Sequence, residues 1–238
     1  MSLSGLPAAL AFLSEINFFK LNPELFITGD GSHSLFLPEL KEYYHSRFGA
    51  ITESRHIFIQ EGFLKTKNNP LSILEVGFGT GLNAYLTYLQ SEITGQMVLY
   101  TAIEKHPLPH AIVTRLNYPA LLEASGEIFF SLHLADWKQP VQISNNFSLI
   151  KQNADLLDYT TNSCFDLVYF DAFGPDVQPL LWSEIVMAKI ASAMKSGGIL
   201  TTYSCKGSVR RALEKSGLRV EKIPGPPGKR EMVRALKE

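Results

Sequence analysis

Short apolar runs alternate with stretches of helical periodicity from residue 71 to the end of the chain. Apolar or β-branched runs of a few residues are typical of buried strands, and apolar residues three and four positions apart are typical of helices. The apolar runs predict strands at 71–76, 96–103, 165–171, 199–204, 218–223 and 231–236. The helical pattern predicts helices at 81–91, 107–122, 180–194 and 208–216. Two further runs, 129–134 and 141–154, predict an inserted hairpin followed by the third sheet strand.

This alternation predicts an α/β fold in which helices cover both faces of a mostly parallel sheet. The Pro/Gly turn at 224–228 is too short for a parallel crossover, so the last of seven strands must pair antiparallel. Residues 1–70 lie outside the alternation. They predict a small N-terminal extension of short strands with a helix near 52–65, capped by Thr52. The predicted organisation is therefore an extension at 1–70 and one α/β domain at 71–238.

Composition narrows the class of protein. The 238 residues are 45% hydrophobic and carry a net charge of −1, so no overall attraction to nucleic acid is expected. Residues 206–238, however, carry ten Lys or Arg against four Asp or Glu, which indicates either a local phosphate-binding patch or an ordinary solvated surface. The two cysteines predict a reduced, cytoplasmic protein. The apolar stretch 6–13 has no Lys or Arg before it, unlike a secretory signal, and no run is long enough to span a membrane.

The most informative motif is a loop with glycine at every second position, in the segment ILEVGFGTGLN from Ile73 to Asn83. Glycine permits positive φ and lets a ligand lie against the main chain. The spacing does not match the dinucleotide fingerprint, because Leu82 stands where its third glycine belongs, and no phosphate-loop lysine follows. The run instead resembles motif I of the S-adenosylmethionine (SAM) methyltransferases, whose loop holds the amino-acid part of SAM. The candidate SAM-binding residues in this segment are Glu75, Gly77, Phe78, Gly79, Gly81 and Asn83.

Acidic residues also follow the next strands, where ligands bind in open α/β sheets. Glu104 ends the second strand and can accept hydrogen bonds from both hydroxyls of a ribose. Asp155 ends the third strand and is the candidate partner of the adenine amino group, with Asp158 as the competing residue. Asp171 ends the fourth strand, and we predict that it orients the attacking amine and takes up its proton.

Several motifs together resemble the methyltransferase domain of the MnmC-type tRNA-modifying enzymes, over nearly the whole chain. They are the glycine loop, Asp171-Ala172-Phe173-Gly174-Pro175, Pro179-Leu180-Leu181-Trp182, Val209-Arg210-Arg211 and Gly228-Lys229-Arg230-Glu231-Met232. The resemblance implies a Rossmann-like class I SAM-dependent methyltransferase fold. It also implies methylation of the aminomethyl group at carbon 5 of the wobble uridine in tRNA. The flavin-dependent oxidase domain of the full-length enzymes would not fit before Glu238, so we expect no FAD and a separate enzyme that supplies the amine.

Basic and aromatic residues are the candidates for substrate contact. Lysine and arginine supply phosphate contacts that position an RNA, and aromatic side chains stack on an extruded base. The candidates are Tyr44, Phe173, Pro175, Lys206, Arg210, Arg211, Lys229 and Arg230. Trp182 is a further stacking candidate, although plain helix packing explains it better. Three histidines, His33, His45 and His56, hint at a metal site only superficially, and we predict no metal.

Three alternative functions remain open at this stage. A small-molecule amine methyltransferase fits the near-neutral charge. An aminopropyltransferase would need several acids around Asp171, where only Asp176 is near in sequence. A catalytically inactive SAM-binding partner protein is the non-enzyme alternative, against which the presence of Asp171 argues.

Overall fold

The computed structural model describes residues 22–161 and 164–238, so the apolar stretch at 6–13 lies outside the described residues. A small antiparallel sheet comes first and contains β1 (Glu24–Ile27), β2 (His33–Leu37) and β3 (Glu42–Tyr43). A large sheet follows. It contains β4 (Leu71–Val76), β5 (Val98–Glu104), β6 (Pro140–Ser144), β7 (Phe147–Asn153), β8 (Phe165–Phe170), β9 (Met194–Thr202), β10 (Leu218–Pro224) and β11 (Glu231–Lys237).

Helices connect the strands and cover both faces of the large sheet. The α-helices are α1 (Ala50–Ser54), α2 (Leu82–Thr94), α3 (His110–Val113), α4 (Tyr118–Leu121), α5 (Gly126–Leu134), α6 (Glu184–Ala193) and α7 (Gly207–Lys215). A π-helical segment, Arg55–Gln60, continues α1, and the 3-10 helices are Phe63–Lys65 and Pro179–Trp182.

The large sheet confirms the predicted α/β fold and adds one strand to it. Among the described residues it has eight strands in the order β10-β11-β9-β8-β4-β5-β7-β6. Strands β7, β5, β4, β8 and β9 are parallel, and β11 lies antiparallel between β9 and β10, as the short turn before it predicted. The strand in addition to the predicted seven is β6, which pairs antiparallel with β7 at the sheet edge. All six residues of β8 are buried, because neighbours cover the strand on both sides and both faces.

Two predictions in the middle of the chain, one of a hairpin strand and one of a helix, were wrong. The run at 129–134 is not a hairpin strand but lies in α5, where Phe129 and Leu132 are fully buried three positions apart. Ser125 accepts a hydrogen bond from the Ile128 amide at 3.4 Å and caps this helix. The predicted helix at 107–122 is divided into the short helices α3 and α4, with Asn117 between them.

The start of α1 is capped by two side chains from the turn between β1 and β2. Thr52 is not its cap: α1 begins after Gly49, and the Asp30 carboxylate accepts hydrogen bonds from the Thr52 amide at 2.9 Å and its hydroxyl at 2.8 Å. The hydroxyl of Ser32 accepts from the Ala50 amide at 3.1 Å. The small sheet therefore fixes the start of α1, and through it the position of the segment that faces the ends of the parallel strands.

Candidate active site

A cavity of about 920 Å³ lies at the carboxyl ends of β4, β5, β7 and β8. The loops that follow these strands form one wall, and residues 42–47 together with Glu53 form the opposite wall. Ligands bind at this edge in open α/β sheets. The described part of the extension therefore closes a site that the sheet alone would leave open.

Two glycines of the loop lie where any side chain would clash with neighbouring atoms. Gly77 has φ of +90°, and a Cβ there would lie 2.6 Å from the carbonyl oxygen of Asp171. Gly81 has φ of +71°, and a Cβ there would lie 2.5 Å from Nε2 of His133. Both geometries favour glycine strongly. The loop therefore presents its backbone to the cavity.

Glu75 lies directly beneath this loop and is fully buried. Burial raises its pKa well above the usual value, the Asp171 charge raises the pKa further, and Asn83 and Tyr100 lower it in part. Among the described residues no donor makes a well-aligned hydrogen bond to either carboxylate oxygen. Burial therefore favours the neutral form of this carboxyl group unless a cation or a hydrogen-bond donor reaches it. The backbone of Gly77 and Gly79 lines the cavity and fits the amino-acid part of SAM, whereas Glu75 is not part of the cavity wall. Its contact with SAM stays a prediction.

Glu104 and Asp155 lie further along the same edge, at the ends of β5 and β7. One Glu104 oxygen accepts from the Gly79 amide at 3.0 Å and the other from the His106 amide at 2.7 Å. Burial raises the pKa of Glu104, and the backbone donors oppose that rise. The Asp155 carboxylate accepts from Lys105 Nζ at 2.8 Å and from the Leu157 amide at 2.9 Å, and these contacts hold its pKa below the usual value although burial opposes them. Both acids line the cavity, and each already has donors that fix its orientation.

Asp171 follows β8 directly and faces the cavity beside the glycine loop. Burial raises the pKa of Asp171 to about 7, and the charge of Glu53 also raises it. The side-chain amide of Asn83 donates to Asp171 Oδ2 at 2.8 Å and, with the more distant Lys229, lowers the pKa in part. A carboxyl group that titrates near neutral pH is suited to accept a proton from a substrate.

The predicted aromatic candidates meet above Asp171. The rings of Tyr44 and Phe173 contact edge to face with centroids 5.0 Å apart, and Tyr44 also lies against Gly79. The indole of Trp182 donates to the Phe173 carbonyl at 2.7 Å, and its ring is buried against Phe170. Trp182 therefore supports the loop, while Tyr44 and Phe173 line the cavity. Pro175 lies in the same loop but is not part of the cavity wall.

The predicted basic residues divide into two groups. Lys229 lines the cavity, where its Nζ lies 2.8 Å from Glu53 Oε1 and 4.1 Å from the centre of the Tyr203 ring. The others lie outside the cavity wall: they are Lys206, which pairs with Asp176, and Arg210, Arg211 and Arg230. Arg211 and Arg230 are exposed, and Arg210 is half-buried. These four remain candidates for contact with a polyanion, whereas Lys229 is a cation within the site.

Sequence reasoning did not single out several polar or aromatic residues of the cavity wall, among them His45, Glu53 and Tyr203. His45 Nε2 lies 2.7 Å from the Thr80 hydroxyl of the glycine loop, and burial lowers the pKa of His45 to about 4. Glu53 is 7% exposed and accepts from the Ser46 amide at 2.7 Å as well as from Lys229. His45 and Glu53 lie far in sequence from the strand ends and give little signal. Tyr203 directly follows β9, so its position at a strand end was the one available signal.

Neither a metal cluster nor a membrane span occurs in the part of the chain that the structure describes. Within residues 22–161 and 164–238 no group of three or more His, Cys, Asp or Glu is placed to hold a metal ion. His33, His45 and His56 contact Arg115, Thr80 and Pro224 respectively. Over the same residues, every helix is too short or too polar to cross a bilayer.

Comparison with known proteins assigns the class. A family model described as S-adenosyl-L-methionine-dependent methyltransferase matches residues 124–238. A crystal structure of MNMC2 from Aquifex aeolicus covers 99% of this chain and 78% of its own, with 25% identity and a TM-score of 0.72. Spermidine synthase from Thermotoga maritima, at 12% identity, 91% coverage of this chain and 71% of its own, and a TM-score of 0.52, shares the fold alone. The fold is that of the class I SAM-dependent methyltransferases, and the family model, which covers just under half of the chain, agrees with it.

The relatives in sequence are more specific. The "tRNA 5-methylaminomethyl-2-thiouridine biosynthesis bifunctional protein MnmC" of Aromatoleum aromaticum is 29% identical over 211 residues, which cover 81% of this chain and 32% of that protein. The protein of the same name from Leptospira borgpetersenii is 28% identical over 212 residues, with the same coverage. The chain therefore spans about a third of the length of these curated relatives. The resemblance to the MnmC-type methyltransferase domain is confirmed.

Proposed function

We propose that this chain methylates the aminomethyl group at carbon 5 of the wobble uridine in tRNA, giving the methylaminomethyl base. The observation that carries the proposal is Asp171, a carboxyl group with a pKa of about 7 in a cavity next to the glycine loop. The names of the relatives support the same substrate. The domain boundary that we propose is residue 71, with the described part of the extension as one wall of the site.

We assign the cofactor contacts to residues on the strand ends. The loop from Gly77 to Gly81, with Phe78 and Asn83, and the buried Glu75 would hold the amino-acid part of SAM. Glu104 would bind the ribose hydroxyls, and Asp155 the adenine amino group. When bound, SAM supplies an electrophilic methyl carbon whose bond to sulfur breaks with both electrons left on sulfur.

Asp171 prepares the nucleophile. A primary amine is mostly protonated at neutral pH and has no lone pair to donate. Asp171 accepts one proton from the ammonium, and the freed lone pair then forms the new nitrogen–carbon bond. Tyr44 and Phe173 form an apolar wall that excludes water and offers ring faces to an extruded base.

The RNA contacts would lie on the rim. Lys206 directly precedes α7 and Arg230 follows the cavity residue Lys229, so both would be within a short distance of the opening. Arg210 and Arg211 continue this surface along α7. Such residues position an RNA through its phosphates without reading its sequence.

Labelled SAM and tRNA from a strain that lacks the final methylation test the proposal, with nucleosides separated by mass spectrometry. We expect label only in the methylaminomethyl nucleoside. Asp171→Ala should lower kcat at least a hundredfold while the Kd for SAM stays within a few-fold, and Asp176→Ala on the same loop is the control. Label in another nucleoside, or in small amines alone, would contradict the tRNA assignment.

A further inference from the structure

The ammonium group of Lys229 occupies a built site inside the cavity. Its Nζ lies 2.8 Å from Glu53 Oε1 and 4.1 Å from the centre of the Tyr203 ring. A carboxylate and an aromatic face both attract an ammonium group, the first by a charge-assisted hydrogen bond and the second by a cation–π contact. Both partners are fixed: Glu53 also accepts from the Ser46 amide at 2.7 Å, and the Tyr203 hydroxyl donates to the Ala172 carbonyl at 2.9 Å.

This site lies beside Asp171. The contact between Tyr203 and Ala172 places the ring next to the residue that follows Asp171 in the chain. The charges of Glu53 and Lys229 both act on the Asp171 carboxyl, so the three groups are within electrostatic range in one cavity. An ammonium held by Glu53 is therefore close to the group that would take its proton.

Lys229 enters this site from a turn rather than from a strand. It follows Gly228, which has φ of +86° and packs so closely on the Phe48 ring that a Cβ would lie 2.1 Å away. The Lys229 side chain is about a third exposed, whereas the Glu53 side chain is 9% exposed. A long, flexible lysine at the end of a turn can withdraw, and the buried Glu53 on α1 cannot.

We propose that Glu53 and Tyr203 form the receptor for the ammonium group of the substrate, and that Lys229 fills this receptor in the free protein until the substrate replaces it. This inference rests on the proposed function, because it requires a substrate with a primary amine. The ring face of Tyr203 holds one cation, so the substrate and Lys229 exclude each other from it. After the exchange, Asp171 receives one proton from the bound ammonium, leaving a neutral amine and a neutral carboxyl group.

The exchange makes opposite predictions for the two members of the ion pair. Glu53→Gln removes the acceptor charge and should raise the KM for aminomethyl tRNA at least fivefold, while the Kd for SAM stays within twofold. Lys229→Met removes the competitor and should lower that KM or leave it within twofold. Glu61→Gln is the matched control, since it breaks the 2.9 Å pair with Arg234 outside the cavity and should change neither constant.

A rise in KM of less than fivefold for Glu53→Gln overturns the proposed receptor. A rise in KM of more than twofold for Lys229→Met also overturns it, because Lys229 would then be a substrate contact. If the wild-type protein does not methylate the tRNA, the proposed function fails and the receptor with it. Normal wild-type turnover with an unmoved KM in Glu53→Gln removes only the receptor.

A second readout serves if Glu53→Gln does not fold. Reductive methylation with labelled formaldehyde keeps the lysine charge, and the Lys229 signal is identified in NMR spectra by its loss in Lys229→Met. With S-adenosylhomocysteine present to prevent turnover, 5-aminomethyluridine should shift this signal and uridine should not. A signal that stays in place at saturating 5-aminomethyluridine overturns the exchange.

Discussion

Replacing Asp171 by Asn should stabilise the protein at neutral pH, although it removes the proposed catalytic group. Burial raises the pKa of Asp171 from 3.8 to about 7, so the folded state resists its ionisation. A difference of about 3 pKa units corresponds to about 4 kcal/mol. Because water in the open cavity screens part of this penalty, we expect about half of it, or ~2 kcal/mol. Asn keeps an acceptor oxygen for the Asn83 amide, so the change isolates the charge.

The pH range over which Asp171 lowers the stability follows from its pKa values in the folded and the unfolded chain. Below pH 3.8 the folded and unfolded chains both hold the proton, and Asp171 carries no penalty. As the pH rises from about 4 to about 7, the unfolded chain releases the proton while the folded chain keeps it, so the free energy of unfolding falls. Above about pH 7 both states are ionised, and the penalty stays constant.

Urea unfolding of wild type and Asp171→Asn, without SAM, measures this directly between about pH 4 and pH 8. The variant should gain ~2 kcal/mol over wild type across that range, nearly all of it below about pH 7. Asp176→Asn is the control, because Asp176 is 81% exposed on the same loop. Parallel curves for wild type and Asp171→Asn would refute the conclusion that burial keeps this carboxyl protonated.

Three further predictions concern the loop, the helix cap and the rim. SAM should raise the Tm of the wild type and NAD should not. Gly77→Ala should abolish the shift, because its Cβ would meet the Asp171 carbonyl at 2.6 Å, and an equal shift in the variant would contradict the loop assignment. Asp30→Ala should cost about 2 kcal/mol of stability. This loss should vanish as the pH falls from about 4 towards 2, because burial raises the pKa of Asp30 but its hydrogen bonds outweigh burial and hold the pKa at about 2. Urea titrations that show a pH-independent loss would contradict this. The double variant Arg211→Glu/Arg230→Glu should weaken tRNA binding and flatten its salt dependence, whereas Lys215→Glu at the far end of α7 should do neither. An unchanged salt dependence in the double variant would show that these arginines do not contact the RNA.

The parallel core of the fold was predictable because its strands contain short, mostly apolar runs. Strand β8, buried on both faces, reads as FDLVYF, and the glycine turn after β4 fixes where the site must lie. The run at 129–134 misled because a short apolar segment fits a buried helix as well as a strand, and periodicity alone does not separate the two. Strand β6 was missed because it is a partly exposed edge strand that pairs only with β7.

The second wall of the cavity was not predictable for a different reason. Glu53 and Lys229 are 176 residues apart in sequence and meet only because the first helix and the last turn fold over the same strand ends. Their residue types are ordinary for exposed helices and turns. The basic segment at the end of the chain carried a charge signal, but that signal does not separate Lys229, inside the site, from Arg230, which is exposed outside the cavity wall.

The environments of the titratable groups in the cavity divide the chemical roles among them. Asp155 has a lowered pKa and an ion pair with Lys105, so it stays ionised, which suits its proposed role as a fixed acceptor and not that of a proton carrier. Burial lowers the pKa of both His45 and His106 to about 4, so these imidazoles are neutral at pH 7 and weakly basic. Asp171, with a pKa of about 7, is ionised in part and can both take up and release a proton at neutral pH. The same burial that destabilises its charge therefore matches it to an amine, which has to lose a proton before it can attack.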